Sequence, residues 1–300
     1  MDKKVLVLCY SQTGQLREIA ERFVEPFKAK KISVEVVQVE PSEEAPFAFP
    51  WDSRRFFDVM PESVLCKPIP LKPFQLQSRQ YDLIILAYQP WFLSPSLPAT
   101  SLLKHPEIIP HLQHTPVITL IGARNMWINA HEKVKHLLKE AGSHLVGNAV
   151  LVDPHPNLIS AITILYWMFY GKKDRLWGIF PEPGISKHDM QYAEKYGKLA
   201  CTALLTENFS TLQQQLIDAG AVPLKDNLIF IEERAGRLFY LWAHFISQRK
   251  NRRLWLTVFK YYLLIALFVV APVLLMINLI LLRPFTGGQM QRKKQYYAYN

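Results

Sequence analysis

The sequence contains little cysteine, only three residues among 300. Cys9, Cys66 and Cys201 are far apart, and they form neither a C-x-x-C pair nor a Cys/His spacing that would bind zinc. We therefore expect no disulfide framework and no metal site, and a reducing cytosol fits the chain. A signal peptide is not expected either, because the first strand pattern begins by residue 4.

Acidic residues are scarce near the carboxyl end. From residue 231 onward, eleven lysines and arginines stand against two glutamates, so this part carries nine of the ten net positive charges. The same part is the most apolar of the chain, and this combination is typical of a membrane surface rather than of a nucleic-acid groove. No nucleic-acid partner is expected. Half of the residues are hydrophobic, which excludes general disorder.

Two common nucleotide-binding loops are absent. The chain has no G-x-G-x-x-G, and the hydroxyl-rich turn at residues 11–16 has no lysine. This turn follows an apolar run, precedes an amphipathic helical pattern, and reads Ser11-Gln12-Thr13-Gly14-Gln15-Leu16. Because a helix N-terminus attracts anions and a glycine allows close approach of the backbone, the turn suits one phosphate monoester. The alternative is a Ser/Thr helix cap after a buried strand.

Further strand patterns alternate with helical patterns and lie at 32–39, 81–87, 116–121 and 145–152. This alternation predicts an α/β fold with a doubly wound parallel sheet of five strands in the order 2-1-3-4-5. We expect a globular domain at 1–228, which includes an insertion at 41–80 and a helical extension at 154–220. A basic amphipathic helix at 229–260, an apolar helix at 261–282 and a basic tail at 283–300 would follow.

Two segments rich in proline and aromatic residues are candidates for a ligand pocket. The insertion at 41–80 is predicted to form a lid or wall over a pocket, and the alternative is packing on its own aromatic rings. Residues 88–98 follow the third strand, where open α/β sheets bind ligands, and their prolines are expected to exclude regular structure. The alternative is that the aromatic rings of this loop lie in the core or on the surface.

The turn at residues 11–16 resembles the phosphate loop of flavodoxins, which usually reads S/T-x-T-G-x-T. Ser11, Thr13 and Gly14 match, whereas Leu16 stands where the last hydroxyl is expected. The resemblance implies a flavodoxin-like fold and FMN as the cofactor. It also implies flavin contacts from the loops after the third and fourth strands, namely Gln89, Pro90, Trp91, Phe92, Gly122, Ala123, Arg124 and Asn125. Arg124 would balance the charge of reduced flavin, and its alternative role is a surface ion pair.

The carboxyl-terminal part contains a run of 22 residues without a charge, at 261–282. At about 1.5 Å per residue, such a helix crosses a hydrocarbon core of roughly 30 Å. We therefore expect a single-pass anchor in the inner membrane, with the domain on the cytoplasmic face and a short tail across the bilayer. The alternative is a buried core helix. A shorter apolar run at 158–170 is either a buried helix or one that dips into lipid.

Nearly the whole chain resembles the bacterial family known as dialkylresorcinol condensing enzymes. The segments that carry the resemblance are 10–15, 60–65, 88–96, 122–127 and 260–264. The family implies a role in aryl lipid and pigment synthesis, a hydrophobic dialkyl substrate and a ketosynthase partner. Since no cysteine has the context of a condensing nucleophile, a flavin suits the next step, in which a 2,5-dialkylcyclohexane-1,3-dione loses two hydrogens and becomes the resorcinol.

The expected catalytic residues are Tyr88, Arg124 and His155. Trp91 and Phe92 would wall the flavin ring, Arg124 would balance charge, and Tyr88 and His155 are candidate bases, although a lone His after a strand is more often structural. One rival function is an NAD(P)H-dependent quinone reductase on the same fold. Another is a non-catalytic membrane subunit that holds the ketosynthase. The sequence also leaves open whether the chain forms a homo-dimer.

Overall fold

The computed structural model describes residues 3–42 and 49–299, without the side chains of 281–286. The strands are β1 (Lys4–Cys9), β2 (Ser33–Gln38), β3 (Leu83–Tyr88), β4 (Pro90–Trp91), β5 (Ser94–Pro95), β6 (Pro116–Ala123) and β7 (His144–Val152). Five of them form a parallel sheet in the order β2-β1-β3-β6-β7. The predicted order is confirmed. The central strand β3 is buried over its whole length, as its continuous apolar sequence predicts.

Helices cover both faces of this sheet. They are α1 (Gln15–Ala29), α2 (Ser53–Asp58), α3 (Met60–Val64), α4 (Leu97–Leu103), α5 (Ile109–Leu112), α6 (Ile128–Glu140), α7 (Asn157–Tyr170), α8 (Lys187–Leu205), α9 (Leu212–Asp218), α10 (Asp226–Ser247), α11 (Arg252–Ile265), α12 (Ala271–Ile277) and α13 (Arg283–Ala298). A 3₁₀ turn lies at Leu176–Gly178, and π-helical turns lie at Ala266–Val270 and Asn278–Leu282.

Helices α1, α8 and α9 cover one face of the sheet, and α4, α6 and the start of α10 cover the other. The contact between α1 and α8 is close, since a Cβ added at Gly197 would lie 1.9 Å from the backbone oxygen of Phe23. Both faces are therefore buried, which leaves the carboxyl ends of the strands as the open edge where a ligand binds.

The loop after β3 is more regular than its prolines predicted. Strands β4 and β5 form a small antiparallel hairpin, in which Pro90 pairs with Pro95 and Trp91 pairs with Ser94. The two residues between them, Phe92 and Leu93, both have positive φ, at 48° and 58°. This is the conformation of a tight hairpin turn, and its prolines are tolerated because the hairpin is not part of the main sheet. The expectation of an irregular loop was wrong here.

Helix α10 packs on the globular domain rather than beginning a separate unit. The backbone N–H of Asn129, in the first turn of α6, donates a hydrogen bond of 2.8 Å to Glu232 Oε1. The Asn129 side chain donates a second one of 2.6 Å to the backbone oxygen of Glu232. Phe239, Ala243 and Ile246 of α10 are buried in a cluster with α2, α3 and α11. The boundary predicted at residue 228 lies inside this helix.

One helix in the described part of the chain, Arg252–Ile280, is long and apolar enough to cross a membrane, and 6% of its most apolar window is buried. The alternative of a buried core helix therefore does not describe it.

The predicted tail lies against the globular domain. Tyr297 donates a hydrogen bond of 2.9 Å to Glu233 of α10, and Tyr296 donates one of 2.8 Å to Glu132 of α6. Lys293 forms an ion pair with Glu233 as well. These contacts place the tail on the same body as the start of the apolar helix. They do not fit the expectation of a tail on the far side of a bilayer.

Candidate functional site

The turn at residues 11–16 connects β1 to α1 at the carboxyl edge of the sheet. Gly14 is the N-cap of α1 with φ at 84°, and no side chain caps the helix. The first backbone N–H groups of α1 therefore lack an intrahelical acceptor and a side-chain cap. Ser11 Oγ and Gln12 Nε2 are also buried without a hydrogen-bond partner among the described residues. The turn thus holds several unpaired donors at a helix N-terminus, which is the arrangement that binds an anion.

The last two side chains of this turn have structural contacts. Gln15 Nε2 donates to the backbone oxygen of Ile185 at 2.9 Å, and the N–H of Ile185 donates to Gln15 Oε1 at 3.0 Å. Leu16 is buried, and a Cβ added at Gly122 would lie 3.1 Å from Leu16 Cδ1. Position 16 therefore packs against the end of β6, and its side chain supplies no phosphate contact.

A cleft of about 130 Å³ lies beside this turn, at the carboxyl ends of β1, β3 and β6. The structure brings ten of the predicted cofactor residues together in its lining: Gln12, Thr13, Gln15, Leu16, Gln89, Pro90, Trp91, Gly122, Ala123 and Arg124. Sequence reasoning did not assign Ile164, Trp167 and Met168 of α7 to this site, although they also line the cleft. The apolar run at 158–170 was the only signal that could have found them.

The insertion forms part of the wall around this cleft. Trp51 packs edge-on against Trp91, with ring centroids 4.8 Å apart, and its backbone N–H donates to the oxygen of Met168 at 2.8 Å. Tyr10 packs on the other side of Trp91 at 5.8 Å. The insertion therefore contacts both the hairpin and α7, as the prediction of a wall requires. Residues 43–48 of the insertion lie outside the described residues.

Arg124 is held at the start of α7 by neutral groups. Its Nη1 donates to the backbone oxygen and Oδ1 of Asn157, at 2.7 and 2.8 Å, and to Ser160 Oγ at 3.3 Å. No carboxylate in the described part of the chain forms an ion pair with it. Burial lowers the pKa of its guanidinium to about 10, against the raising effect of Asp153. Arg124 is therefore a cation that can receive an anionic ligand.

Asn125 and Phe92 do not line the cleft. Asn125 is buried, and its Nδ2 donates to Asn157 Oδ1 at 2.8 Å, which ties the loop after β6 to α7. Phe92 points toward the insertion, where its ring centroid lies 4.9 Å from that of Phe56. Phe92 therefore belongs to the neighbouring apolar cavity described below.

The two predicted bases lie away from the cleft. Tyr88 is fully buried beneath α6, with its hydroxyl 3.4 Å from His131 Nδ1, and burial raises its pKa well above the usual value. Tyr88 lines neither cavity, so the structure does not bring it together with the predicted cofactor residues, and its role as a base stays a prediction. His155 lines neither cavity as well; its backbone N–H donates to Asp153 Oδ1 at 2.9 Å. Tyr88 lies away from the cleft because its side chain points to the face of the sheet that α6 covers. His155 lies away from it because it follows β7 in a bend that its hydrogen bond to Asp153 holds.

A second cavity of about 410 Å³ adjoins the cleft and is lined almost entirely by apolar side chains. The two cavities share Pro90, Arg124 and Ile164 in their linings. The other walls come from the insertion, the hairpin, α7, α10 and the apolar helix, through residues that include Phe57, Phe92, Ala161, Ala235, Leu238 and Leu274. Arg124 is thus placed where the cleft meets the apolar cavity.

Glu232 is a buried carboxylate near this site that sequence reasoning missed. Its Oε1 accepts from Asn129 at the start of α6, whereas its Oε2 has no partner among the described residues. Burial raises its pKa to about 8, and the neighbouring N–H groups of α6 oppose this rise only in part. Glu232 therefore fixes α10 to α6, and the free energy that its burial costs is larger when the carboxyl group is ionised.

The strand order and the turn after β1 define a flavodoxin-like fold. No family model and no curated protein matches the sequence. Solved structures with a similar fold exist. A flavoprotein in complex with FMN from Lactobacillus acidophilus NCFM is 20% identical, over 50% of this chain and 93% of that one, with a TM-score of 0.39.

Two further solved structures are similar. A flavodoxin from the domain Archaea is 12% identical over 67% of this chain and 99% of that one, with a TM-score of 0.37. RosB with bound 8-demethyl-8-formylriboflavin-5'-phosphate is 13% identical over 68% and 86%, with a TM-score of 0.32. At these scores the fold assignment rests on the strand order itself.

Proposed function

We propose that the chain is an FMN-dependent oxidoreductase that converts a 2,5-dialkylcyclohexane-1,3-dione into the resorcinol. One observation carries the proposal: the cleft beside the turn at residues 11–16 and a large apolar cavity meet at one partly buried cation, Arg124. A cofactor site that opens into an apolar chamber suits a substrate with a small polar ring and long alkyl groups. The identity of the ring comes from the family resemblance of the sequence.

The cleft residues fit the phosphate end of FMN. Ser11 Oγ, Gln12 Nε2 and the first N–H groups of α1 are unpaired donors, and Gly14 has open space where a Cβ would stand. The cleft of about 130 Å³ is smaller than the roughly 300–1,000 Å³ of typical ligand sites. The flavin ring therefore needs the side chains of α7 that line the cleft, such as Trp167, to shift outward.

Bound FMN would accept a hydride from the ring carbon of the substrate. The residues of this chain would place and shield that ring. Because a 1,3-dione is already acidic, only a modest base is required, which agrees with the absence of Tyr88 and His155 from both linings. Arg124 would hold the negative charge that develops during the reaction, and the apolar cavity would exclude water around it.

The proposed substrate is apolar, so we also propose that the protein works at the cytoplasmic face of the inner membrane. The exposed apolar helix Arg252–Ile280 and the excess of basic residues after residue 231 support a lipid bilayer as partner. A ketosynthase that makes the dione is a further proposed partner, and it rests on the family resemblance. A homo-dimer stays a prediction.

A single-turnover experiment without oxygen tests the reaction. Full-length protein in detergent is loaded with FMN and mixed with a synthetic dialkylcyclohexane-1,3-dione. We expect the flavin absorbance to bleach and one resorcinol to form per FMN, since each substrate loses one hydride and one proton. Failure to bleach, with FMN bound and the substrate bound, would contradict the proposed reaction.

The same preparation separates the rival functions. A quinone with an apolar tail would also fit the larger cavity, so an NAD(P)H-dependent quinone reductase is the second candidate. Rapid bleaching by NADPH followed by reoxidation with such a quinone would favour it. A protein that retains no FMN at all would instead favour the non-catalytic membrane subunit.

A further inference from the structure

The apolar helix does not leave the domain where it begins. Its first part, α11, runs antiparallel to α10 and packs against it through aromatic rings. The ring centroids of Trp255 and Phe245 are 4.7 Å apart, and those of Phe259 and Phe239 are 5.5 Å apart. Farther along, residues up to Leu274 line the same cavity as α10. The helix therefore stays beside α10 for most of its length.

Both ends of the apolar segment are fixed to the same body. Before it, Arg252 Nη1 donates to Glu62 Oε1 of α3 at 2.7 Å. After it, Lys293 and Tyr297 bind Glu233 of α10. Met290 and Tyr297 also pack on the main hydrophobic core. A chain that crosses a bilayer once places its two flanks on opposite sides, which these contacts do not allow.

The length of the apolar segment also argues against a single crossing of the bilayer. A helix needs about 20 apolar residues beyond the domain to cross a hydrocarbon core of roughly 30 Å. After Leu274, only residues 275–282 of the uncharged run remain, which extend about 12 Å as a helix. The helix is apolar enough to span a membrane, but the part of it that is not beside the domain is too short.

The outer side of this helix is a continuous apolar stripe. Val269, Val273, Met276 and Ile280 follow one another at helical spacing, and each is between 46% and 64% exposed. The opposite side lines the apolar cavity. We name these four residues the outer stripe.

Basic side chains flank the beginning of the helix. Arg249, Lys250 and Arg253 are exposed there. An apolar stripe next to a basic cluster is the pattern of a helix that lies in the surface of an anionic membrane.

We propose that the outer stripe inserts into one leaflet of an anionic bilayer, parallel to its surface, and that the chain does not cross the membrane. The basic cluster at 249–253 binds the lipid headgroups at the same face. The proposal replaces the single-pass anchor expected from hydropathy, and it is independent of the reaction catalysed.

Cysteine labelling of the full-length protein in membranes tests the side on which each flank lies. Gln248→Cys precedes the helix and Gln295→Cys follows it, and both positions are exposed. We expect a membrane-impermeant maleimide to label both positions in inverted inner-membrane vesicles and neither in intact spheroplasts, relative to the parent chain. Labelling of Gln295→Cys only in spheroplasts would establish a single-pass anchor and overturn the proposal.

Vesicle binding tests the outer stripe. Val269→Glu and Val273→Glu place a charge on the stripe, and we expect each to weaken binding to phosphatidylglycerol vesicles at least tenfold. Val36→Glu is the matched control, because Val36 is similarly exposed at the far edge of the sheet and should leave binding unchanged. Equal losses in all three variants would overturn the proposal, as would a dimer that forms through the stripe and does not bind vesicles.

Discussion

The side-chain amide of Gln15 and the backbone of Ile185 form two hydrogen bonds in opposite directions, at 2.9 and 3.0 Å. This pair joins the first residue of α1 to the segment before α8. Gly184 must be glycine next to it, since its φ is 86° and a Cβ would lie 2.7 Å from Gln15 Oε1 and 2.8 Å from Trp167. The turn after β1, α7 and residues 184–185 therefore pack together along one side of the cleft.

Replacing Gln12 or Gln15 by alanine should affect different properties of the protein, FMN binding in the first case and stability in the second. Gln15→Ala leaves the polar groups of Ile185 without partners, and we expect it to lower the free energy of unfolding by about 1–3 kcal/mol. Gln12→Ala removes a buried amide nitrogen that has no partner, so the protein without FMN should keep its stability and bind FMN more weakly. Denaturant unfolding and fluorescence titration with FMN measure the two effects. Equal stability losses would contradict this assignment.

Gly14→Val should abolish FMN binding, because the added side chain would occupy the space proposed for the phosphate. Its matched control is Gly220→Val, because Gly14 and Gly220 have φ of 84° and 85° and both have open space around a Cβ. We expect both variants to lose about 1–2 kcal/mol of stability from the same backbone strain. Only Gly14→Val should give colourless protein. If both variants retain FMN, the phosphate does not bind at this turn.

Narrowing the apolar cavity should select against long alkyl chains. Ala235 lines this cavity, and Ala235→Phe would displace about two methylene groups of a bound chain. At about 0.8 kcal/mol per methylene, the KM of a long-chain dione should rise roughly tenfold, while a short-chain dione is unaffected. Ala29→Phe is the control, because Ala29 is exposed at the end of α1. An equal rise in KM for both chain lengths would show that the cavity does not hold the chain.

Glu232 should make the protein less stable as the pH rises. Burial raises its pKa from 4.5 to about 8 in the folded state, so the folded protein holds a proton that the unfolded chain releases. The stabilising effect is complete below about pH 4.5 and is lost as the pH rises to about 8, by at most about 1.4 kcal/mol per pH unit.

Glu232→Gln should therefore flatten the decline in unfolding free energy between pH 5.5 and pH 8. The exposed Glu140→Gln serves as its control and should keep the slope of the parent protein. An unchanged slope in Glu232→Gln would mean that Glu232 is ionised in the folded protein throughout this range.

The contacts of Glu233 should hold the tail without contributing much to global stability. Glu233→Ala removes the partner of Lys293 and Tyr297, and partly exposed pairs of this kind contribute about 0–1 kcal/mol. We expect faster hydrogen exchange confined to residues 287–299, with nearly unchanged unfolding. Glu25→Ala, which removes a surface pair of α1, is the control. Unchanged exchange in the tail would show that other contacts hold it.

The sheet and the edge that carries the site could be predicted because their signals are local. Each parallel strand is a short apolar run, and the carboxyl ends of such strands meet at one edge. The turn at 11–16 and the loops after β3 and β6 therefore come together around the cleft. Trp167 could not be assigned to it, since the approach of α7 to this edge depends on the pairing of Gln15 with Ile185 and of Trp51 with Met168.

The sequence by itself determined the strand order, the helix N-terminus that faces the cleft and the strongly apolar character of Arg252–Ile280. Only the tertiary structure decided which way Leu16 and Tyr88 point and what lies beside the apolar helix. The physical reason is that hydropathy measures how unfavourable contact with water is. It does not state whether α10, a cavity or lipid provides the apolar surroundings, and that depends on contacts such as Phe259 with Phe239.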